Sequence, residues 1–273
     1  MSKAEVPEST AGSDEGTSVK NMGRKKVLGP WFFVALAMAV VLSGYLAYSA
    51  VRNRVLQEAP GSIRATGIPA NVPTSIANLM SLSPVPHTIA PNFTLVDQHG
   101  ATVSLASFRG RTVVLEFMDP HCTDICPIVS QEFVDAYHDL GKQASHVVFV
   151  AVNVNQYFTS AADMETFSNE HGLNSIPSWY FLTGSPSHLE SVWRDYNITV
   201  AAPNPKADII HTSIVYFIGA NGRKQYIGAP MDDKTATGTS YLPANQLTSW
   251  GNGISLVAQS LVLRHLGSEH SPN

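Results

Sequence analysis

From Val27 to Val51 the chain carries no charged side chain, and this run decides how the rest can fold. About 20 apolar residues cross the hydrocarbon of a bilayer, so a run this long reads as a single transmembrane helix over 27–51. Trp31 stands near one end and Tyr45 and Tyr48 toward the other, as interfacial aromatics do. Pro30 falls in the first turn, where its missing N–H costs little. The run exceeds the ~7–15 apolar residues of a signal-peptide core, so an uncleaved anchor is expected. Lys20, Arg24, Lys25 and Lys26 precede it; Arg52, Arg54 and Arg64 follow. That bias orients the N-terminus to the cytoplasm and the C-terminal part to the periplasmic side of a bacterial cell membrane. The acids Glu5, Glu8, Asp14 and Glu15 argue against a mitochondrial transit peptide.

The anchor divides the chain. Residues 1–26 are polar and read as a disordered cytoplasmic tail. Residues 52–88 carry several Pro, Ser and Ala without a sustained period and read as a linker. A folded domain is expected over 89–267, with a short tail at 268–273. Inside the domain, strand and helix signals alternate. Phe93–Asp97 and Thr102–Leu105 flank Gln98-His-Gly, a hairpin signal. Thr112–Met118 and Val147–Asn153 are continuous apolar runs, as in strands buried on both faces. Helical faces follow at Cys126–Leu140, Ala161–His171 and Ser187–Tyr196, the first closed by Gly141. Trp179–Thr183 and Thr212–Ile218 read as strands, Asn221-Gly222 as a tight turn into Lys224–Ile227, and Pro243–His265 holds a last helix. The pattern predicts an α/β domain with a mostly parallel sheet covered on both faces.

Two cysteines, Cys122 and Cys126, stand where the strand Thr112–Met118 gives way to a helix. Ligands of open α/β sheets bind at such carboxyl ends of strands. A helix N-terminus lowers thiol pKa values. Side chains four apart on a helical turn lie about 5–6 Å apart at Cβ, so the two sulfurs can share a metal ion or form a disulfide after local adjustment. Spacing leaves both uses open. His211 opens the strand Thr212–Ile218; if that strand docks beside the cysteine strand, the imidazole arrives at the sulfurs. Two thiolates and one imidazole suit Cu(I), and with a weak extra ligand Cu(II). A structural zinc ion would want a fourth donor, and His121 is adjacent. The formal net charge of −4 supplies no basic field for nucleic acid.

Phe117-Met-Asp-Pro-His-Cys122-Thr-Asp-Ile-Cys126-Pro127 resembles the cysteine motif of the SCO/SenC family of copper-binding assembly proteins. Phe181-Leu-Thr-Gly-Ser-Pro186 before a helix, and Asp208-Ile-Ile-His211-Thr-Ser-Ile-Val-Tyr216, are similar to that family's segment before its histidine and to its histidine strand. The resemblance spans Ala90 to Ile227. It implies a thioredoxin-like fold with an added N-terminal β-hairpin, and copper held by Cys122, Cys126 and His211. It also implies a metallochaperone rather than an enzyme, which helps to assemble the copper site of cytochrome c oxidase subunit II or reduces that site's cysteines. The chain departs from the family pattern at Thr123, where proline is usual, at Asp119-Pro120, and at Asn153-Val-Asn-Gln-Tyr157, which replaces an acidic, proline-containing segment. These changes spare the expected ligands.

Two other chemistries share the signature. An extracytoplasmic thiol–disulfide oxidoreductase would use Cys122 and Cys126 as a redox pair, although such enzymes carry two residues between their cysteines and this chain carries three. A peroxidase would use Thr123 and Cys126, whose spacing matches Thr-x-x-Cys. Among the remaining residues, Trp179, Trp193 and Met118 read as core, His138 and His171 as solvent-facing, and Asp124 as a helix-start acid.

Overall fold

The computed structural model describes residues 65–269 together with Met38 and Ser43. The chain divides into two compact units, Met1–Arg52 and Asn53–Asn273; the fold below is that of the second. The tail expected at 1–26 and the span expected over 27–51 lie outside the described residues, apart from Met38 and Ser43, both helical. Among the described residues no helix is long and apolar enough to cross a membrane.

The elements run α1 (Thr74–Leu79), β1 (Ser83–Pro84), β2 (Thr94–Val96), β3 (Thr102–Ser104), β4 (Thr112–Met118), α2 (Ile125–Leu140), β5 (Val147–Asn153), α3 (Ala161–Glu170), β6 (Trp179–Leu182) and α4 (Pro186–Asp195). There follow β7 (Val200–Ala201), β8 (Ile210–His211), β9 (Val215–Ile218), β10 (Lys224–Gly228), β11 (Asp233–Lys234), β12 (Ser240–Tyr241) and α5 (Ala244–Glu269). A six-stranded sheet has the order β1-β10-β9-β4-β5-β6, and three two-stranded ribbons stand beside it: β2-β3, β7-β8 and β11-β12. β4 pairs in parallel with β5, and β5 with β6; β9, β10 and β1 are antiparallel to their neighbours. The sheet is therefore mixed, not mostly parallel. The short Asn221-Gly222 turn returns the chain as an antiparallel hairpin, which a crossover helix would have prevented.

Every residue of β4 and β5 is buried, and the period-two alternation of a strand splits them between two cores. Val114, Met118, Val147, Phe149 and Ala151 pack under α2, α3 and α5. Val113, Leu115, Phe117, Val148, Val150 and Val152 pack under the β2-β3 hairpin and α4. Trp179 joins the first core and Trp193 the second, and Met118 is 1% exposed. At Gly222 (φ +69°) the Arg109 guanidinium occupies the space of a Cβ and donates to the Asn221 carbonyl. Only glycine combines that backbone angle with so close a neighbour.

Part of the stretch read as a linker belongs to this unit. Ile68, Val72, Ile76, Met80 and Leu82 are buried in the first core together with Trp250, Ile254 and Val257 of α5. Ile76, Ala77 and Met80 follow the three-to-four-residue spacing of a helix face, in a segment too short for its period to stand out among prolines and serines. At the other end α5 continues to Glu269, so the expected tail at 268–273 begins within a helix.

Candidate metal and thiol centre

The parallel register runs from Thr112 opposite Val147 to Met118 opposite Asn153. The chain therefore leaves β4 and β5 at the same edge, and two loops emerge side by side. The first carries the cysteines. The Cys122 N–H donates to the Asp119 carbonyl at 3.1 Å, and the His121 N–H to Asp119 Oδ1 at 2.9 Å. This turn delivers Cys122 to the first turn of α2. There the N–H of Cys126, second residue of the helix, points at Cys122 Sγ from 3.4 Å. The first N–H groups of a helix lack partners within it. The Cys122 sulfur takes one of them, and Pro127, next in line, has none to offer.

Both cysteines are free, Cys122 half-buried and Cys126 buried, and their environments pull them apart. The Cys126 thiol beside it holds Cys122 down at about 7, with help from the N–H groups of Cys126 and Asp124, against burial and the Asp119 charge. Cys126 is pushed well above its ordinary value by the Cys122 sulfur, by burial and by the Cys122 charge. One sulfur is thus poised as a thiolate near neutral pH while the other holds the proton.

β9 docks beside β4, with Leu115 opposite Tyr216, which brings the preceding segment to the cysteine edge. The strand proper starts only at Val215. His211 stands in the ribbon β7-β8, paired with Val200, and does not open a strand of the main sheet. Residues 212–214 are diverted: Thr212 N–H donates to Thr199 O at 3.0 Å, Thr212 Oγ1 accepts from Thr199 N–H at 3.1 Å, and Ser213 Oγ donates to Glu116 Oε1 at 3.3 Å. His211 Nδ1 lies 3.1 Å from the Thr212 carbonyl. A carbonyl only accepts, so Nδ1 carries the proton and Nε2 keeps its lone pair. Burial lowers the His211 pKa, against the Thr212 carbonyl and Asp119, and a neutral imidazole is the form that ligates metals.

His211, Cys122, Asp119, Asp124, Ser213 and Lys234 line one cleft of about 380 Å³. Among the described residues no group of three or more His, Cys, Asp and Glu side chains stands close enough to hold one ion. The donor set has the soft chemistry copper prefers; Cys122 and His211 face one cleft and Cys126 is buried behind it, so the residues fit the metal in kind, while closing the set requires His211 to approach the sulfurs. His121 is engaged elsewhere. Its ring stacks on Phe158 at 4.0 Å between centroids, and Nε2 lies 3.6 Å from Asp163 Oδ1.

The sequence reading missed two features. His171 is half-buried rather than solvent-facing; its ring lies 4.3 Å from Phe167, and it shares with Cys122 a second hollow of about 510 Å³. Lys234 and Ser240, from the β11-β12 ribbon, reach Asp124 at 3.6 and 3.1 Å and tie the ribbon to the residue between the cysteines.

A parallel β4-β5-β6 unit with a redox-capable cysteine pair at the strand-to-helix junction defines a thioredoxin-like dithiol protein. Comparison narrows the class. The SCO1/SenC family profile matches residues 83–238, and the chain belongs to that family. A SCO1 protein homolog of Bacillus subtilis is 29% identical over 157 residues, 55% of this chain and 80% of that protein. A chloroplastic peroxiredoxin Q of Triticum aestivum is 39% identical over 64 residues, 23% of this chain and 30% of that protein. The solved structure of Bradyrhizobium japonicum ScoI with copper bound superposes with a TM-score of 0.50 at 21% identity, covering 64% of this chain and 99% of the other. That likeness establishes the shared fold.

Proposed function

We propose that the chain is a membrane-anchored copper chaperone which binds the metal through Cys122, Cys126 and His211 and delivers it during assembly of the copper site of cytochrome c oxidase subunit II. The anchor is residues 27–51, and the domain stands on the extracytoplasmic side. The observation that carries this reading is the shared cleft. A thiol held near neutral pH and an imidazole with its Nε2 lone pair free face the same space. Membership of the SCO1/SenC family supports it, as does the copper bound by the ScoI protein of similar fold.

Copper is cargo here, and the chain's residues set how it is held and released. Cys122 offers a thiolate without a large protonation cost. Cys126, held well above its ordinary value, releases its proton as the metal binds. The Nδ1–H bond to the Thr212 carbonyl fixes the imidazole tautomer, as an outer partner does in metal sites generally. A three-donor set leaves room for an incoming thiolate or thioether from the recipient, so transfer proceeds by ligand exchange. The test is anaerobic copper titration of the full chain. One Cu(I) per chain is expected, lost in Cys122→Ser and in Cys126→Ser; either variant retaining wild-type affinity rejects the ligand set.

A second reading rests on the split thiol pair. A low-pKa outer cysteine and a high-pKa buried one is the asymmetry of a thiol–disulfide oxidoreductase. In that role Cys122 attacks a partner disulfide, a mixed disulfide forms, and Cys126 displaces the partner thiol as the chain takes up the disulfide. Oxidised partner peptide reduced stoichiometrically by the metal-free dithiol would favour it.

A further inference from the structure

The two loops at the carboxyl edge of β4 and β5 are bolted together, and the bolt continues to the histidine. Asn155 is 3% exposed and donates from Nδ2 to Asp119 Oδ1 at 2.9 Å, the same oxygen that receives the His121 N–H ahead of Cys122. Its other amide atom, Oδ1, accepts the Tyr157 N–H at 3.0 Å. Tyr157 in turn donates its hydroxyl to the Ala202 carbonyl at 2.8 Å. Ala202 directly follows β7, whose Val200 is the partner of His211. Asn153 stiffens the loop from within: Oδ1 accepts the Asn155 N–H at 2.7 Å, Nδ2 donates to Phe158 O at 2.8 Å, and its carbonyl accepts Trp193 Nε1–H at 2.9 Å. One continuous path of hydrogen bonds therefore joins the turn that presents Cys122 to the ribbon that presents His211.

We propose that Asn155 and Tyr157 are positioning residues that set the approach of His211 to the two cysteines. This rests on the ligand set proposed above and adds what controls its third member. The two ends of the path differ in strength. The Asp119–Asn155 bond is buried, where an unmade partner is expensive. The Tyr157–Ala202 bond is at the surface, where water competes, and Tyr157 is 38% exposed. The cysteine turn is the fixed end and the histidine ribbon the adjustable one. Ile210, next to His211, is 72% exposed; the ribbon is held by Val200 and Ile209, half-buried against the second core, and by hydrogen bonds from Tyr157, from Gln156 at 3.5 Å, from the Thr199–Thr212 pair and from Ser213. The segment that departs from the family's acidic pattern is thus the gauge of the site, and it works through neutral amides and a phenol rather than through charge.

A double-mutant cycle on the full chain tests this. Tyr157→Phe deletes one hydroxyl and keeps the ring, so the fold is retained; Asn155→Ala is the harsher companion. The expected result is that Tyr157→Phe weakens Cu(II) binding several-fold and reduces the nitrogen hyperfine signal in its paramagnetic resonance spectrum, with the Cys122 alkylation rate unchanged. Tyr157→Phe combined with His211→Ala should bind no more weakly than His211→Ala alone, because the hydroxyl acts only through the imidazole. Additive losses, or unaltered Cu(II) binding in Tyr157→Phe, overturn the proposal. The arm without metal is hydrogen exchange: Tyr157→Phe should speed exchange in residues 200–212 at least tenfold and leave 119–126 unchanged. A wild-type chain that binds no copper but shows this selective release rejects the copper reading and keeps the positioning one; unchanged exchange rejects the positioning role.

Discussion

The backbone N–H of Cys126 points at the sulfur of Cys122 from 3.4 Å, so the outer cysteine takes up an N–H in the first turn of the helix that holds the inner one. A thiolate there gains a hydrogen bond and the favourable end of the helix dipole. The largest influence on Cys122, however, is the Cys126 thiol. Alkylation of the reduced, metal-free chain should therefore follow a single ionisation with a midpoint of about 7, with Cys126 unmodified. In Cys126→Ala the midpoint should rise toward that of an ordinary thiol, near 8.5. A midpoint that stays put would mean that the helix terminus alone does the work.

His211 holds its proton on Nδ1 and offers Nε2. His211→Ala is expected to weaken Cu(II) binding by more than the ~10–100-fold that loss of an outer partner costs a metal site. Cu(I), for which the proposed set supplies two thiolates, should lose less. The thermal midpoint should barely change, since the ribbon β7-β8 carries the residue outside both cores. Equal affinities for Cu(II) with and without the imidazole would remove it from the site.

What could be read in advance follows from which signals are local. β4 and β5 announce themselves because each residue is buried, leaving unbroken apolar runs, and Cys122 and Cys126 are found by their position between strand and helix. The antiparallel return through β9 and β10 was half legible: Asn221-Gly222 marks the turn, but the pairing of β9 with β4 is a long-range choice. The strand expected to open at Thr212 starts only at Val215, because Thr212 and Ser213 have strand-like side chains whose hydrogen bonds go to Thr199 and Glu116. The bridge through Asn155 and Tyr157 left no pattern in the sequence, since it depends on parallel register bringing Asn153 opposite Met118. The burial of Ile76 and Met80 was hidden among residues that looked like a tether.

Gly253 of α5 faces that hidden helix. A Cβ added there would lie 2.7 Å from Ile76 Cγ2 and meet Met80 Sδ as well. Ile76 is 1% and Met80 0% exposed, so neither has free space to yield into. Gly253→Val should destabilise the fold by ~1–3 kcal/mol through overpacking, despite the better helix propensity of any residue over glycine. Limited proteolysis should then open the chain within residues 65–82 first. If Gly253→Val is as stable as wild type, the helix α1 is not seated where this core requires it.

Glu116 of β4 and Glu132 of the cysteine helix α2 are two buried carboxyls, 1% and 0% exposed. Glu116 Oε1 accepts from Ser213, while Glu116 Oε2 and both oxygens of Glu132 have no hydrogen-bond partner among the described residues. Burial pushes Glu116 up to about 8 and, with the charges of Glu116 and Asp135, raises Glu132 well above the usual carboxylate range. Such acids stay neutral in the folded chain and ionise in the unfolded one. Between the two pKa values the folded state therefore binds more protons, and stability must fall as pH rises. The window for Glu116 runs from about 4.5 to about 8: its contribution is intact below the window and lost by the top of it. Glu116→Gln keeps the shape and an acceptor for Ser213 but has no proton to lose. It should remove up to about 1.4 kcal/mol of slope per pH unit, the largest value one proton can give. Urea midpoints at pH 5, 6, 7 and 8 should then fall less steeply in the variant, which overtakes the wild type toward pH 8. Parallel curves would show that the Glu116 carboxyl ionises as readily folded as unfolded, and that charge, rather than a proton, sits behind the Ser213 hydroxyl.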